Sequence, residues 1–386
     1  MTDNLPKDAG EATLVGRVWN PAADGPSIVT ITGGEVIDIT SREVPTMSAL
    51  LELEHAAEIA RQGDGFSLGS VDELLENSVE GGRDASRPWL LAPSDLQAVK
   101  ASGVTFVVSL LERVIEERAK GDPGGAAAAR AEVTALIGSD LSDLKPGSPE
   151  AAKLKGHLIE RGAWSQYLEV GIGPDAEIFT KAQPMSAVGF GAHIGILPIS
   201  EWNNPEPEMV LAVSSTGAIK GVTLGNDVNL RDVEGRSALL LGKCKDNNAS
   251  AALGPFIRLL DEHFTEADIG SLTVDLEVTG EDGFVLEGHS PMSEISRSPR
   301  ELVDAAIGAN HQYPDGFVLY LGTMFAPVKD RGGAGLGFTH HIDDRVTISS
   351  DRLGALRNTV KLCSDCEPWT FGTSQLMRNL AGRGLL

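Results

Sequence analysis

Asn203-Asn204-Pro205-Glu206-Pro207-Glu208 leads into one apolar run, and Gly225-Asn226-Asp227-Val228-Asn229-Leu230-Arg231-Asp232 closes another. Side chains alternate along an extended segment, so Glu206 and Glu208 project from one face. Two carboxylates there repel each other unless a cation sits between them. Pro207 also withholds a ladder donor, which an ordinary central strand does not tolerate. Asp227 ends the run that begins at Ile219, where an adjacent strand brings it alongside the pair. Three carboxylate oxygens with positions left open suit Mg²⁺ or Mn²⁺. A solvated acidic edge is the plain alternative, and spacing alone leaves both open.

The acid surplus is general. The chain has 386 residues, with 55 acidic against 32 basic side chains and a formal charge of -23. Such a balance repels a phosphate backbone or an anionic membrane surface unless basic groups are concentrated somewhere. The densest basic stretch, Arg113, Arg118 and Lys120, is interleaved with Glu112, Glu116 and Glu117, so neither nucleic acid nor membrane is an expected partner. Met1 to Gly16 lacks the apolar core of a signal peptide, and no run reaches the ~18 apolar residues of a spanning helix. Three cysteines do not make a disulfide framework. A cytoplasmic protein is expected.

Turn signals divide the chain. Thr13 to Trp19, Ser27 to Thr32 and Glu35 to Thr40 read as strands, with Gly33-Gly34 as a hairpin turn, and Met47 to Gln62 as a helix. Gln62 to Arg87 reads as a linker, giving a small α+β domain over 1–86 and a larger one over 87–386. Val104 to Lys120 reads as a helix with an apolar stripe of Val104, Val108, Leu111 and Ile115, and with Ser109, Glu112, Arg113 and Glu116 on another face. Residues 121–163, with Gly124-Gly125, an alanine run and two prolines, read as a helical insertion. Beyond Gln166 the texture is β, interrupted by helices expected at Ala251–Asp261 and Pro299–Ala309. The class is α+β, rich in strand.

The acidic pair followed by Gly-Asn-Asp-Val-x-x-Arg-Asp resembles the divalent-metal site of the fumarylacetoacetate hydrolase superfamily. Gly103-Val104-Thr105-Phe106, Ile178-Phe179-Thr180-Lys181 and Gly322-Thr323 resemble it too. Within it, the likeness is nearest to dehydratases of 2-keto-3-deoxy-pentonates, through Trp164–Val170, Glu234–Leu240, Lys245–Ser250, His311–Gly316 and Pro368–Gly372. The resemblance implies a mixed β-roll catalytic domain with a small N-terminal domain, and a homodimer or homotetramer. It implies Glu206, Glu208 and Asp227 as ligands of magnesium, or of manganese in its place.

It further implies Glu112 as the base, Lys245 as a lysine of lowered pKa that shuttles protons, and Lys181, Thr323 and Ser250 as substrate-binding residues. One position departs from the pattern. Hydrolases of the superfamily carry a His–Glu pair that activates water, and here Ser109 replaces the histidine while Glu112 keeps the glutamate's place. That disfavours C–C hydrolysis and leaves Ser109 as a catalytic candidate beside Glu112. The bland reading of Glu112 is a pair with a nearby cation such as Arg113.

Other signals are weaker. Cys363-Ser364-Asp365-Cys366 has no second pair to close a zinc site, so its thiols read as structural. His340 and His341 are adjacent and would point apart in a strand. His193 is unassigned. Gly332, Gly333, Gly335 and Gly337 make no dinucleotide fingerprint. The expected function is magnesium-dependent dehydration of a 2-keto-3-deoxy-pentonate, such as that derived from D-xylonate, to 2,5-dioxopentanoate. The alternatives are an acylpyruvate-type hydrolase or keto-acid decarboxylase on the same fold, and a non-catalytic divalent-cation-binding assembly protein.

Overall fold

The two apolar runs around the acidic residues form neighbouring antiparallel strands in a computed structural model that describes residues 4–137, 144–325, 327, 329–333 and 337–386. In chain order the strands are β1 (Leu14–Asn20), β2 (Gly25–Thr32), β3 (Glu35–Asp38), β4 (Phe66–Ser70), β5 (Trp89–Leu91), β6 (Ala98–Gly103), β7 (Glu177–Ala182), β8 (His193–Ile196), β9 (Asn203–Asn204), β10 (Pro207–Val213), β11 (Ile219–Asp227) and β12 (Asn229–Leu230). They continue with β13 (Ala251–Leu259), β14 (Thr273–Thr279), β15 (Val285–Pro291), β16 (Phe317–Tyr320), β17 (Arg345–Ser350) and β18 (Gly354–Leu362). An 11-stranded sheet runs β4-β3-β2-β1-β13-β11-β10-β16-β6-β7, with β5 also on β1. A 5-stranded sheet runs β15-β14-β17-β18-β8, and β9 pairs with β12. Residues from both larger sheets, Val222 and Leu224 of one and Val274 and Ile348 of the other, share one apolar core.

The expected hairpin is present, with Gly33 and Gly34 at φ +60° and +84° turning β2 into β3. The expected linker is not. Residues 62–87 contain β4 and the helix Val71–Asn77, whose Ser70 and Glu73 form a reciprocal capping box. The boundary expected at 86/87 lies between that helix and β5, and the large sheet runs through both parts because β1 pairs with β13.

The helix expected at Ala251–Asp261 is instead strand β13, all nine residues of which are buried. A strand covered on both faces shows no alternation, so its apolar run reads like a helix. Six further helices matter here: α1 (Met47–Glu52) and α2 (Ala56–Gln62), which replace one expected helix; α3 (Val71–Asn77); α4 (Val107–Ala119); and α5 (Ala126–Ile137) and α6 (Pro149–Glu160) of the insertion. Residues 138–143 of that insertion, and Gly335, lie outside the described residues. Helix α4 buries Leu110, Val114 and Ile115, while Val108 is half exposed, so its apolar stripe is rotated from the expected one. The rotation turns Arg113 and Glu116 inward. Pro299–Ala306 is helical, close to expectation. No helix among the described residues is long and apolar enough to cross a membrane.

Candidate metal centre

Strand register assembles the acidic residues. In the β10–β11 pair Pro207 stands opposite Asn226 and Glu208 opposite Gly225, and the Asp227 amide donates to the Glu206 carbonyl at 3.0 Å. Pro207 is the first residue of its strand, a place open to proline. One carboxylate oxygen each from Glu206, Glu208 and Asp227 lies within 4.8 Å of the others, and all three residues are buried. Burial and mutual repulsion exclude the solvated acidic edge as an explanation. Three hard oxygen donors of like charge, held away from water, are a donor set able to bind a divalent metal such as magnesium.

Cations already balance part of this charge. Lys245 Nζ donates to Glu206 Oε2 at 2.5 Å and to Asp227 Oδ2 at 3.1 Å, and Lys181 Nζ lies 2.8 Å from Asp227 Oδ1. The Arg113 guanidinium bonds Glu206 Oε1, and the Gly322 amide donates to Glu208 Oε2 at 2.6 Å. Burial works against ionising Asp227, but Lys181 and Lys245 outweigh it and hold the carboxyl below its ordinary value. Glu208 has no such cation of its own; burial first, then Asp227 and Glu206, push it well above the carboxylate range. The lowered pKa expected for Lys245 is that of a lysine beside a bound cation, and the protein's own groups act in the other direction. Burial favours its neutral form, but Asp227 and Glu206 overcome that and raise it well above the ordinary lysine value, so the side chain keeps its proton.

The pocket over these groups is lined by Ser109, Thr323 and Lys245 of the expected residues. Lys181 and Ser250 lie behind it. Lys181 is fully buried, with Nζ donating to the carbonyls of Lys245 (2.6 Å) and Val228 (3.2 Å), and Ser250 Oγ donates to the same Lys245 carbonyl at 2.7 Å. Ser250 thus holds the Lys245 backbone, and Lys181 both that backbone and Asp227, from behind the pocket. Glu112 also lies outside this pocket. It lines a smaller side cavity, with both carboxylate oxygens taken by Arg130 of α5 and Arg231 Nη2 at 3.6 Å. Its cation is thus not Arg113. That guanidinium instead meets Glu116 at 2.7 Å and Glu234 at 3.3 Å, and Arg231 Nε reaches Glu116 at 2.6 Å.

Two pocket carboxyls escaped the sequence reading. Glu177 begins β7 opposite Gly103 of β6, and a Cβ at position 103 would stand 1.9 Å from Glu177 Oε2, so glycine makes room for this carboxylate. Loss of hydration, and then Glu234, push Glu177 up to about 7. Glu234 is raised by burial against the pull of Arg113. The Gly103 that opens the family-like stretch was the available signal for Glu177, but only the register shows what it faces.

The other candidates do not join this site. His193 Nδ1 pairs with Glu80 at 2.9 Å. His340 is buried with Nδ1 3.2 Å from Asp344, while His341 is exposed. Burial pushes the free thiols Cys363 and Cys366 up to about 11 and about 12, as suits structural cysteines.

Residues 171–361 match the model of the fumarylacetoacetate hydrolase C-terminal family. The chain is 34% identical over 185 residues to "2-dehydro-3-deoxy-D-arabinonate dehydratase" of Saccharolobus solfataricus, covering 48% of this chain and 58% of the relative. It is 30% identical over 194 residues to "Probable 2-keto-3-deoxyxylonate dehydratase" of Haloferax volcanii, covering 50% and 63%. Among solved structures, "2-keto-3-deoxy-D-arabinonate dehydratase complexed with magnesium and 2,5-dioxopentanoate" superposes with a TM-score of 0.62 over 90% of this chain and 99% of that one, at 23% identity. At that identity the likeness shows the fold.

Proposed function

We propose that this chain, whose residues 171–361 match the fumarylacetoacetate hydrolase C-terminal family, is a magnesium-dependent dehydratase converting a 2-keto-3-deoxy-pentonate to 2,5-dioxopentanoate and water. The observation that carries the reading is one pocket holding a buried carboxylate triad, a protonated lysine on two of its members, and a separate carboxyl poised near neutrality. The two curated relatives support the substrate class.

Glu206, Glu208 and Asp227 would hold the ion. Bound magnesium supplies Lewis-acid stabilisation of the negative charge that grows on a keto oxygen when the neighbouring carbon loses a proton. Glu177 is the group suited to take that C3 proton. A carboxyl near 7 is largely ionised just above neutrality and still basic enough to drive the transfer. Lys245, kept charged by its carboxylates, is suited to protonate the hydroxyl that leaves C4 as water. The C5 hydroxymethyl end then tautomerises to the aldehyde, so no oxidant or reductant enters. Ser109 and Thr323 line the pocket and offer hydroxyls to the substrate. Glu112, which the sequence made the base, is committed to Arg130 and Arg231 and serves as a structural anion.

Once C2 is a ketone and C3 a methylene, only C4 distinguishes the pentonates, so the D-arabinonate and D-xylonate series give one keto acid. The finer assignment is that D epimer, in pentose degradation in the cytoplasm. The test is turnover of both C4 epimers with Mg²⁺, following 2,5-dioxopentanoate, beside Glu206→Gln and a chelated sample. Product from one epimer that vanishes in both controls is the expected result. Cleavage of an acylpyruvate with neither epimer consumed would overturn the dehydratase in favour of the hydrolase.

A further inference from the structure

A cleft of about 450 Å³ shares no lining residue with the metal pocket. Three segments meet there: Gln183, just past β7; Asp246, Asn247 and Asn248, directly after Lys245; and the turn beyond β18 that leads to Trp369. Pro368–Gly372 carries part of the dehydratase likeness, yet none of its residues lines the metal pocket. The proposed chemistry gives that stretch no task.

The amides set the polarity of the cleft. Asn247 Nδ2 donates to the carbonyls of Lys243 (2.9 Å) and Cys244 (3.4 Å), and Asn248 Nδ2 to those of Cys363 (3.1 Å) and Glu367 (3.3 Å). Gln183 Nε2 donates to Asp246 Oδ2 at 2.9 Å. An amide that spends its N–H groups on the protein's own oxygens turns its carbonyl oxygen the other way. Among the described residues no donor meets Oδ1 of Asn247, Asn248 or Asp246, or Oε1 of Gln183. The lining hydroxyls do not help, since Ser186 donates to the Gln183 carbonyl and Ser364 to Asp365. The cleft is therefore rich in acceptors and poor in donors.

Trp369 supplies its apolar wall. The indole N–H is held by the Phe371 carbonyl at 3.0 Å, and the residue is 46% exposed. Among the described residues its ring stacks on no other ring and carries no cation. A fixed aromatic wall beside spread acceptors suits a sugar, which has C–H groups on its faces and hydroxyls around its edge. Charge narrows the class. Asp246 lines the cleft and no basic side chain does, so a carboxylate or phosphate is repelled, the keto acid included. An ammonium ion gathers its donors at one point, whereas these acceptors come from separate segments.

We propose that this cleft binds a neutral sugar of pentose size, its ring against Trp369 and its hydroxyls donating to Gln183, Asp246, Asn247 and Asn248. The choice of a pentose rests on the proposed function; the neutral polyol rests on the cleft alone.

Saturation-transfer NMR on the full chain tests it, with D-xylose, D-xylonate and ethanolamine as probes. Transfer to D-xylose and not to the other two is expected. Trp369→Leu and Asp246→Ala should each weaken D-xylose binding, the former by at least ~10-fold, with circular dichroism unchanged. Glu206→Gln should leave it as in wild type. No transfer to D-xylose, equal binding in both cleft variants, or a preference for D-xylonate or ethanolamine would overturn the proposal. So would loss of the signal in Glu206→Gln, which would place the sugar in the metal pocket. Turnover is not read here: a bound sugar on a chain without dehydratase activity would overturn the proposed function alone, and an active dehydratase that binds no sugar would overturn this site alone.

Discussion

The strand side and the helix side of the metal pocket differ in how their charges are arranged. At the start of β10 and the end of β11 three carboxylates are brought together, the cations lie on Glu206 and Asp227, and Glu208, left without one, is pushed upward by burial and by its two neighbours. Against α4, Glu112 meets Arg130 and Arg231 and Glu116 meets Arg113 and Arg231, so each carboxylate has its guanidinium. Frustrated charge marks the side poised to bind and react; satisfied charge marks the side that holds. The sharpest way to break that contrast is Glu206→Gln. It removes one of three ligands, and loss of turnover of at least ~10³-fold is expected, together with loss of Mn²⁺ binding by electron paramagnetic resonance. Wild-type metal affinity in that variant would remove the strand side's claim.

Glu177→Gln against Glu112→Gln is the next contrast. Removing a general base costs ~10²–10⁴-fold in kcat, whereas Glu112→Gln should cost under ~10-fold. The pH dependence carries a sign. Glu177 accepts a proton only as the carboxylate, so kcat should rise with pH through about 7, and that limb should be absent from Glu177→Gln. The same upward shift means the folded state holds this proton more tightly than the unfolded chain, whose carboxyl titrates near its ordinary 4.5. Its contribution to stability is therefore fully present below that value and is lost as pH rises through about 7. Equal losses in the two variants would merge the two sides.

What the sequence made legible follows the same division. Glu206, Glu208 and Asp227 could be found because strand alternation and a single adjacent pairing bring them together, both local facts. Glu177 could not, since it faces Gly103 across strands separated by the whole insertion. The pairing of Glu112 is hidden for a related reason: its partner Arg130 sits on a different helix, and no spacing rule within α4 points there. Strand β13 was read as a helix because burial on both faces erases the alternation, although Gly254-Pro255 argued against a helix. The α3 signal was present in Ser70-x-x-Glu73 and was masked by the polar composition around it.

Lys181 tests whether the strand side depends on support from behind. Its ammonium has no exposure and holds Asp227 Oδ1 and two backbone carbonyls. Lys181→Met removes the cation and leaves a buried carboxylate with Lys245 alone. Such a broken buried pair costs about 3–5 kcal/mol, measured as a lower urea midpoint. Because Lys181 does not line the pocket, KM for the keto acid should change less than the metal requirement. A variant of wild-type stability with a strongly raised KM would return Lys181 to the substrate role expected from the sequence.

Arg130→Gln makes the smallest change and probes the helix side most selectively. Arg130 is 43% exposed at its side chain while Glu112 is 9% exposed, so water already screens half of this pair. Exposed ion pairs contribute about 0.2–1 kcal/mol, and Glu112 keeps Arg231 as a partner when Arg130 is gone. The expected outcome is a stability loss within that range and turnover within ~3-fold of wild type. A chain of contacts nevertheless runs from Arg130 through Glu112, Arg231, Glu116 and Arg113 to Glu206. If satisfied charge only holds, a change at its outer end dies out along the chain, because each intermediate group retains a second partner. A ~100-fold fall in turnover with the fold intact would show instead that the helix side transmits to the metal ligand, and the division between a reacting strand side and a holding helix side would no longer stand.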